Sequence, residues 1–507
     1  MGIQSRSKNS ILNAISAMAL TLVNGLLGVV VTKMVISHFG SDFNGLNSTA
    51  NQIVNMLLIL EGGFTVASNV SLFAPLTNGD FSTVNGILSA TLKKFRKIAL
   101  LFLGIGAAVA IGYGFAVQSA LEVEFIITVV LMTVVPAAFN LFYATTYRVL
   151  LQTQQKEYII SFITMLTIGG GHIANMVMMS LGGPMWAVRF ITMSFAFLNS
   201  LLIAGYVKRK NKFINLKASP KADMIKGTKD VMVQKITGVI YNSFPIVFLS
   251  ISPAGGTVLA SVYAVYNQVF VMIKSLLHAA IDAPRLSFGQ LLTEKKREEV
   301  WGTFKQYEFI AFFAVFALLS TTLALILPFI SIYTAGVTDA NYYDPVIALL
   351  MVLVAVVEMI HIPSGHLLNM AGKFKISKNF QLIACATLVV TMLVGGNLFG
   401  VYGMLGALLL CAVILAVLEM GYVHLFFFER KLFELIKLMA PFVIGGGLLC
   451  YLESLIPIKI NGYLQFGLYG VIFMVINTVF ALLIGLVFNK KIMLSLITRV
   501  KNMLVRK

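Results

Sequence analysis

The placement of Lys and Arg between long apolar runs constrains the fold of this chain more than any other feature. Cutting the sequence at these runs gives fourteen candidate spans, and nearly all of the 38 basic residues fall at the two ends or in every second connection. The odd-numbered connections hold only Lys459. Basic loops stay on the cytoplasmic side of a membrane, so the pattern predicts that both termini are cytoplasmic. The basic regions are Arg6 and Lys8, Lys93–Lys97, Arg148 and Lys156, Lys208–Lys229, Arg285–Lys305, Lys373–Lys378, Arg430–Lys437 and Lys490–Lys507.

Each run is long enough to cross the hydrocarbon layer as a helix, which needs about 20 residues. The runs are too long and too uniformly apolar for barrel strands, and lipid cannot satisfy a free backbone. With 58% hydrophobic residues, the sequence predicts an all-α polytopic membrane protein. The predicted spans are 11–39, 43–76, 98–116, 124–147, 158–180, 186–206, 231–252, 255–282, 307–333, 345–368, 379–398, 402–427, 433–452 and 464–488.

An internal repeat predicts two lobes in the same orientation. When the chain is shifted so that Asn51 falls on Asn267, span 2 and its loop fall on span 8 and its loop, and the Asn-Gln and Leu-Thr pairs of both segments coincide. Parallel repeats are a transporter architecture with substrate bound between the halves. The predicted organisation is a six-helix lobe over 1–206, a basic cytoplasmic linker over 207–230, a second six-helix lobe over 231–427, and spans 13 and 14 with a basic tail over 428–507.

Polar side chains form stripes on the two equivalent spans, and a polar side chain within a bilayer must face protein or a water-filled cavity. We therefore expect the stripes to line a shared polar centre. On span 8 the residues of one narrow helical face are Asn267, Lys274, His278, Asp282 and Arg285. On span 2 the corresponding face carries Asn51, Asn55, Gly62, Thr65 and Asn69, with Glu61 at its border.

Lys274 is the charge that most needs an explanation, because a central charge costs at least about 2.5 kcal/mol on insertion scales. We expect a functional or ion-paired role for it, with Glu61 as its partner or as a proton-titrating group. Lys235 lies close to the cytoplasmic edge. Arg189, near the outer end of its span, either snorkels or lines an outer vestibule.

Weaker polar positions leave structural and functional interpretations open. Asn140 belongs to a stripe on span 4. Glu358 and His361, three residues apart, form either a proton relay or a structural hydrogen bond, and a structural pairing of Glu419 with His424 is expected. The glycine clusters, Gly62-Gly63 among them, are expected to permit close packing or bending. The prolines within spans are candidate hinges for alternating access: Pro136, Pro245, Pro328 and Pro363.

Several function classes are disfavoured. The net charge of +18 is explained by the alternating loops, so nucleic acid is not an expected partner. The three cysteines lie inside apolar spans and form neither a disulfide framework nor a metal spacing. There is no nucleotide-binding motif, catalytic triad signature or zinc spacing, which argues against an enzyme and against a bound cofactor.

The first hundred residues resemble the polysaccharide-transporter (Wzx-type) flippase family of the multidrug/oligosaccharidyl-lipid/polysaccharide (MOP) superfamily. Gly62 replaces the commoner Leu of that family, and the arginine-rich first span of its lipid II flippase relatives is absent. The architecture of two halves and fourteen spans is similar over the whole chain. The segments that carry the resemblance are SKNSILNAISAMALTLVNGLLG, FGSDFNGLNS, LLILEGGFTVASNVSLFAPLTNGD and LKKFRK.

The resemblance implies a flippase of the bacterial cytoplasmic membrane that moves an undecaprenyl-diphosphate-linked oligosaccharide to the outer leaflet by alternating access. Its expected partners are that lipid-linked glycan, membrane lipids, a polysaccharide polymerase and glycosyltransferases; its expected coupling ion is H⁺ or Na⁺. The expected cavity residues are Lys274, Arg285, Lys235, Arg189, Asn51, Asn55, Asn69, Asn140, Asn267 and His278, and the expected coupling or ion-pairing residues are Glu61, Asp282, Glu358 and His361. A lipid II or teichoic-acid precursor flippase and a cation-coupled multidrug antiporter stay open as alternatives. A membrane enzyme is disfavoured by the lack of a catalytic cluster, and a non-transporting scaffold is disfavoured by the charged groups in the membrane interior.

Overall fold

A computed structural model describes residues 3–225, 229–282, 288, 291–292, 294–295, 297–456 and 460–505. The described residues are almost entirely helical and include no strand. Twelve segments among them are long and apolar enough to cross a membrane. The all-α, polytopic prediction is therefore confirmed. Arg285, a predicted cavity residue, lies outside the described residues.

Two of the twelve segments join predicted spans: one contains span 1 and the first part of span 2, and the other contains spans 11 and 12. The segment Ile11–Glu61 bends at Gly40, where φ is 85°, and Phe374–Phe427 bends at Gly400, where φ is 57°. Glycine adopts these left-handed conformations without a steric penalty, so the chain can turn within a single residue and no loop separates the two helices. Spans 1 and 2, and spans 11 and 12, are thus joined by sharp bends.

The contacts of the chain divide it into two units, Met1–Ala264 and Val265–Lys507. The lobe limits read from the sequence remain a prediction. In the first unit the helices are α1 Ile3–Leu57, α2 Phe64–Thr77, α3 Phe81–Ala116, α4 Val123–Phe139, α5 Thr145–Thr153, α6 Glu157–Ser180, α7 Met185–Lys210 and α8 Lys229–Ile251, and α9 Thr257–Ile281 begins there.

The second unit continues from α9 through long apolar helices and a basic C-terminal one. Aromatic side chains from two of these helices pack together in its core. Phe309 and Phe316 of one helix contact Phe442 of the other. Its helices are α10 Arg297–Tyr333, α11 Pro345–Ile360, α12 Ile362–Met370, α13 Phe374–Tyr422, α14 Leu432–Ser454, α15 Tyr463–Phe488 and α16 Lys490–Val505.

Small residues allow the helices of the first unit to approach closely. Helix α3 packs along α4, and a Cβ added at Gly106 would lie 2.4 Å from Val134. Close packing over small side chains is the usual way in which helices associate inside a bilayer.

Hydrogen bonds to Asp42 link connecting segments of the first unit. Asp42 accepts from the Ser119 hydroxyl at 2.7 Å, from the Ala120 amide at 2.8 Å and from the Thr257 hydroxyl.

Span 2 is not the single helix predicted over 43–76. Helix α1 tightens into a 3₁₀ turn at Leu58–Glu61, Gly62 and Gly63 adopt left-handed backbone angles, and α2 starts at Phe64. The bending expected of this glycine pair is confirmed. Helix α3 begins at Phe81, well before the predicted start at 98, and Asp80 caps it by accepting from the Thr83 amide at 2.9 Å.

The prolines differ in their local effects. A π-helical turn, Asn140–Ala144, follows Pro136, and the chain breaks at His361 just before Pro363. Pro245 and Pro328 lie inside uninterrupted helices. Proline removes a backbone donor and so favours such local departures, but the neighbouring groups decide whether the helix breaks.

Candidate functional site

The glycine break of span 2 places a carboxylate inside the first unit. Glu61 closes the 3₁₀ turn, and its carboxylate accepts from the Thr65 amide at 3.1 Å, which caps the start of α2. The same carboxylate pairs with Lys235 of α8, with 3.3 Å between Nζ and Oε2. The side chain of Glu61 is mostly buried, whereas that of Lys235 is 41% exposed. The pair therefore has one end open to an entering ligand.

A second lysine–carboxylate pair lies in the second unit. Lys274 of α9 pairs with Glu358 of α11, with 3.0 Å between Nζ and Oε2, and both side chains are largely buried. The prediction that Lys274 is ion-paired is confirmed, but its partner is Glu358 instead of Glu61. Tertiary packing within the unit supplies the carboxylate, which the spacing along one helix could not reveal.

The predicted interaction of Glu358 with His361 stays a prediction, and His361 meets a different carboxylate at close range. Because α11 ends at Ile360, the following turn directs His361 to α13, where its Nδ1 lies 2.9 Å from Oε2 of Glu419. The expected pairing of Glu419 with His424 is wrong for a related reason. His424 lies in the π-helical turn Val423–Phe427, and its Nε2 lies 3.3 Å from Oε2 of Glu308.

Glu308 is a buried carboxylate that the sequence analysis did not single out. It lies on α10 and is fully buried with His424, whose ring contacts the rings of Trp301 and Phe304. One sequence feature indicates this residue: it is an acidic residue at the second position of the predicted span 307–333. A carboxylate at that depth is costly unless it is paired or protonated.

Acidic and histidine side chains form a chain at the end of α9. Asp282 lies 3.5 Å from His278 and 3.6 Å from His366, and the hydroxyl of Tyr307 lies 2.8 Å from Nδ1 of His366. His278 and Asp282 are both more than two-fifths exposed. Asn267, on the same helix, is half-buried.

The first unit contains a cavity of about 360 Å³ among α1, α4, α5, α6 and α7, with polar and apolar side chains in its wall. Arg189 is only 3% exposed there, and it donates to Oδ1 of Asn51 at 3.1 Å and to the Asn47 carbonyl. It therefore does not snorkel to the membrane surface. Arg148, counted above as a loop residue, also lines the cavity and donates to Oδ1 of Asn199. Its assignment to a loop was wrong because the helical span continues to Thr153.

The remaining predicted amides lie in different surroundings. Asn140 lines the same cavity and accepts a hydrogen bond of 3.4 Å from the Ser200 hydroxyl. Asn55 donates to Gln52 at 3.0 Å, and Asn69 donates to Gln152 at 3.0 Å, neither of them at the cavity wall. The structure thus brings Asn51, Asn140 and Arg189 together at one cavity and leaves the other predicted residues of the first unit outside it.

The arrangement of helices is similar to that of solved transporter structures. No family model matches the sequence, and no curated protein matches it; the likeness is to solved structures. An inward-facing multidrug resistance MATE family transporter of the MOP superfamily superposes with a TM-score of 0.63, covering 81% of this chain and 96% of its own. The lipid II flippase MurJ, in an inward closed conformation, superposes with a TM-score of 0.66, covering 92% and 98% respectively. Both are 13% identical to this chain, and at that identity the likeness shows the fold.

Proposed function

We propose that this protein is a flippase that carries an undecaprenyl-diphosphate-linked oligosaccharide from the cytoplasmic to the outer leaflet of a bacterial membrane by alternating access. The observation that carries the proposal is the pairing of membrane-embedded lysines with carboxylates: Lys235 with Glu61, and Lys274 with Glu358. These are cationic groups in a transporter fold, and each is held by a partner that a stronger anion can displace. A diphosphate provides such an anion.

The pairs also provide a route to ion coupling. When a diphosphate oxygen takes over Lys274, the ion pair with Glu358 breaks while the carboxylate stays largely buried. In this hypothesis Glu358 takes part in ion coupling, so binding of the lipid-linked anion and of the coupling ion are linked through the pair. Release on the other side would reverse both steps. We expect Glu358→Gln to translocate substrate with less dependence on an imposed pH gradient.

Other polar groups suit the glycan part of the substrate. Asn55 and Gln52 lie next to Ser243 in the first unit, where the Ser243 hydroxyl donates to Gln52 at 2.8 Å. His278 and Asp282 are exposed in the second unit. Side-chain amides, hydroxyls and carboxylates are the partners that sugar hydroxyls need. The prenyl chain would stay in lipid.

The alternatives differ in the charge of their substrate. A multidrug antiporter for cationic drugs would need membrane-embedded carboxylates without basic partners at its binding site, whereas Glu61 and Glu358 are both neutralised by lysine. A lipid II flippase is the second candidate. The MurJ structure covers 92% of this chain, compared with 81% for the MATE transporter, so the likeness extends over more of this chain. Lipid II carries the same prenyl diphosphate, and the sugar distinguishes the two.

Translocation in proteoliposomes tests the proposal. A fluorescent undecaprenyl-diphosphate oligosaccharide is placed in the inner leaflet, and flipping is scored by its cleavage with an added glycosidase. Wild type is compared with Lys274→Glu, with Lys274→Arg, which keeps the charge, and with Lys97→Gln, an exposed basic residue of α3 that serves as the control.

We expect flipping by wild type and by the control, partial flipping by Lys274→Arg, and loss of flipping in Lys274→Glu. A folded Lys274→Glu protein that flips at the wild-type rate would refute the role of the lysine. A folded wild type that flips neither this substrate nor lipid II would refute the proposed function, and efflux of a cationic drug would then be measured.

A further inference from the structure

The cavity inside the first unit contains two arginines without a matching negative charge. Arg148 and Arg189 both line it, and none of the other described residues around it is acidic. Neither arginine forms a salt bridge with any carboxylate of the described residues, unlike Lys235 and Lys274. Arginine stays protonated in proteins, so this wall carries two positive charges.

Each of the two guanidinium groups donates hydrogen bonds to neutral carbonyl oxygens. Asn199 donates to the hydroxyls of Thr164 at 3.2 Å and Thr167 at 2.8 Å, which turns its own oxygen towards Arg148. Arg189 is held by Asn51 and by the Asn47 carbonyl. These dipoles orient the arginines but leave their charges uncompensated.

Both arginines keep unused donors. The Nε atom of each is buried and has no hydrogen-bond partner among the described residues. A guanidinium has five N–H donors, and a buried donor without a partner costs free energy. A buried charge without a partner costs considerably more, so arginines in this setting require a counter-ion.

We propose that the cavity of the first unit is an anion-binding site, in which Arg148 and Arg189 together hold a phosphate-like or halide anion. The cavity volume of about 360 Å³ accommodates an inorganic phosphate with its water, or a phosphate group with one attached residue. Guanidinium groups favour oxyanions because two N–H donors match two oxygens. The anion is either a free ion from solution or the phosphate of the lipid-linked substrate. The site itself follows from these residues and does not depend on the proposed substrate.

The site is tested by direct binding to the purified full-length protein in nanodiscs. Radiolabelled inorganic phosphate and radiolabelled chloride are titrated separately, and the thermal stabilisation given by undecaprenyl diphosphate is measured in parallel. The variants are Arg148→Gln and Arg189→Gln, which remove one charge each, and Arg189→Lys, which keeps it. Lys97→Gln, on the exposed part of α3, is the matched control for loss of a positive charge.

We expect saturable binding of at least one probe by wild type and by the control, at least tenfold weaker binding in each Gln variant, and measurable binding in Arg189→Lys. Binding of an inorganic ion identifies a free anion as the occupant; a response to undecaprenyl diphosphate alone identifies the substrate phosphate. Either result supports the site.

Stability without added anion provides a second measurement. Since each Gln variant removes a positive charge that has no carboxylate partner among the described residues, we expect it to unfold at the same temperature as wild type or higher in an anion-poor buffer, and to gain less from phosphate. Binding of every probe that is equal in wild type and both Gln variants would overturn the proposal, as would the absence of binding by any of the three probes. A folded wild type that flips neither lipid-linked substrate would refute the proposed function and leave the anion-binding result unchanged, so the two proposals fail separately.

Discussion

The pair formed by Lys274 and Glu358 gives a quantitative test of whether this lysine depends on its carboxylate. The charged atoms are 3.0 Å apart, and the side chains are 20% and 12% exposed. At that distance, with an effective dielectric constant of about 20, the Coulomb energy is about 5 kcal/mol. Breaking a fully buried pair costs about 3–5 kcal/mol because it leaves an unpaired charge. The partial exposure lowers the expected cost to about 2 kcal/mol for Lys274→Met or for Glu358→Gln.

The double variant should recover part of that loss. Lys274→Met with Glu358→Gln leaves no charge behind, so we expect a cost of about 1 kcal/mol and a coupling free energy of about 3 kcal/mol between the two positions. Thermal unfolding in nanodiscs at one fixed scan rate measures the effect. The unfolding temperature of a unit of this size falls by about 2–4 °C per kcal/mol of lost stability, so each single variant should unfold roughly 4–8 °C below wild type.

An exposed pair with the same separation is the matched control. Lys295 and Glu299 are also 3.0 Å apart, but more than half of each side chain is exposed. Their coupling should be below about 0.5 kcal/mol. The reasoning is refuted if the Lys274 and Glu358 variants act additively, or if their coupling does not exceed that of the exposed pair.

Two further predictions concern the fold. A Cβ at Gly403 would lie 1.9 Å from the Gly395 carbonyl across the bend of α13, so Gly403→Ala should destabilise the protein by about 1–3 kcal/mol. Gly406 lies on the same helix with open space around it, so Gly406→Ala should not destabilise the protein. Thermal unfolding of the two variants measures the difference. Hydrogen bonds from Thr83 hold the pKa of Asp80 below its ordinary value of 3.8, so the stability from this cap is complete above that value and is lost as the pH falls through the lowered folded pKa. Asp80→Asn should therefore flatten the acid limb of the stability profile relative to wild type, and an unchanged limb would contradict this.

The helical architecture could be predicted because membrane insertion depends on local properties of the sequence. Long apolar runs mark the spans, and basic residues mark alternate connections, so neither requires knowledge of tertiary contacts. The errors arose at span ends. The predicted span 4 ends at 147, just before Arg148. In the structure the helical segment continues to Thr153, and Arg148 lies at the cavity of the first unit. A single cation does not stop a membrane helix when the protein itself surrounds the charge.

The ion pairs could be anticipated only in part. A lone lysine in an apolar run predicts a partner, and Lys274 has one. The identity of the carboxylate that pairs with Lys274 depends on contacts between helices. The sequence therefore does not identify Glu358 as the partner. Rules for neighbours on one helix also could not identify the contact of His361 with Glu419, since the chain leaves the helix at His361.

Lysine and arginine are used differently inside this protein, and the difference follows from their chemistry. Lys235 and Lys274 each meet a carboxylate, so charge is balanced within the pair. Arg148 and Arg189 meet only amide and carbonyl oxygens, and arginine does not lose its proton in proteins. In the proposed anion site, a bound anion balances the charge of the arginines. It follows that anions should stabilise the first unit through the arginines, while proton coupling should depend on the lysine–carboxylate pairs.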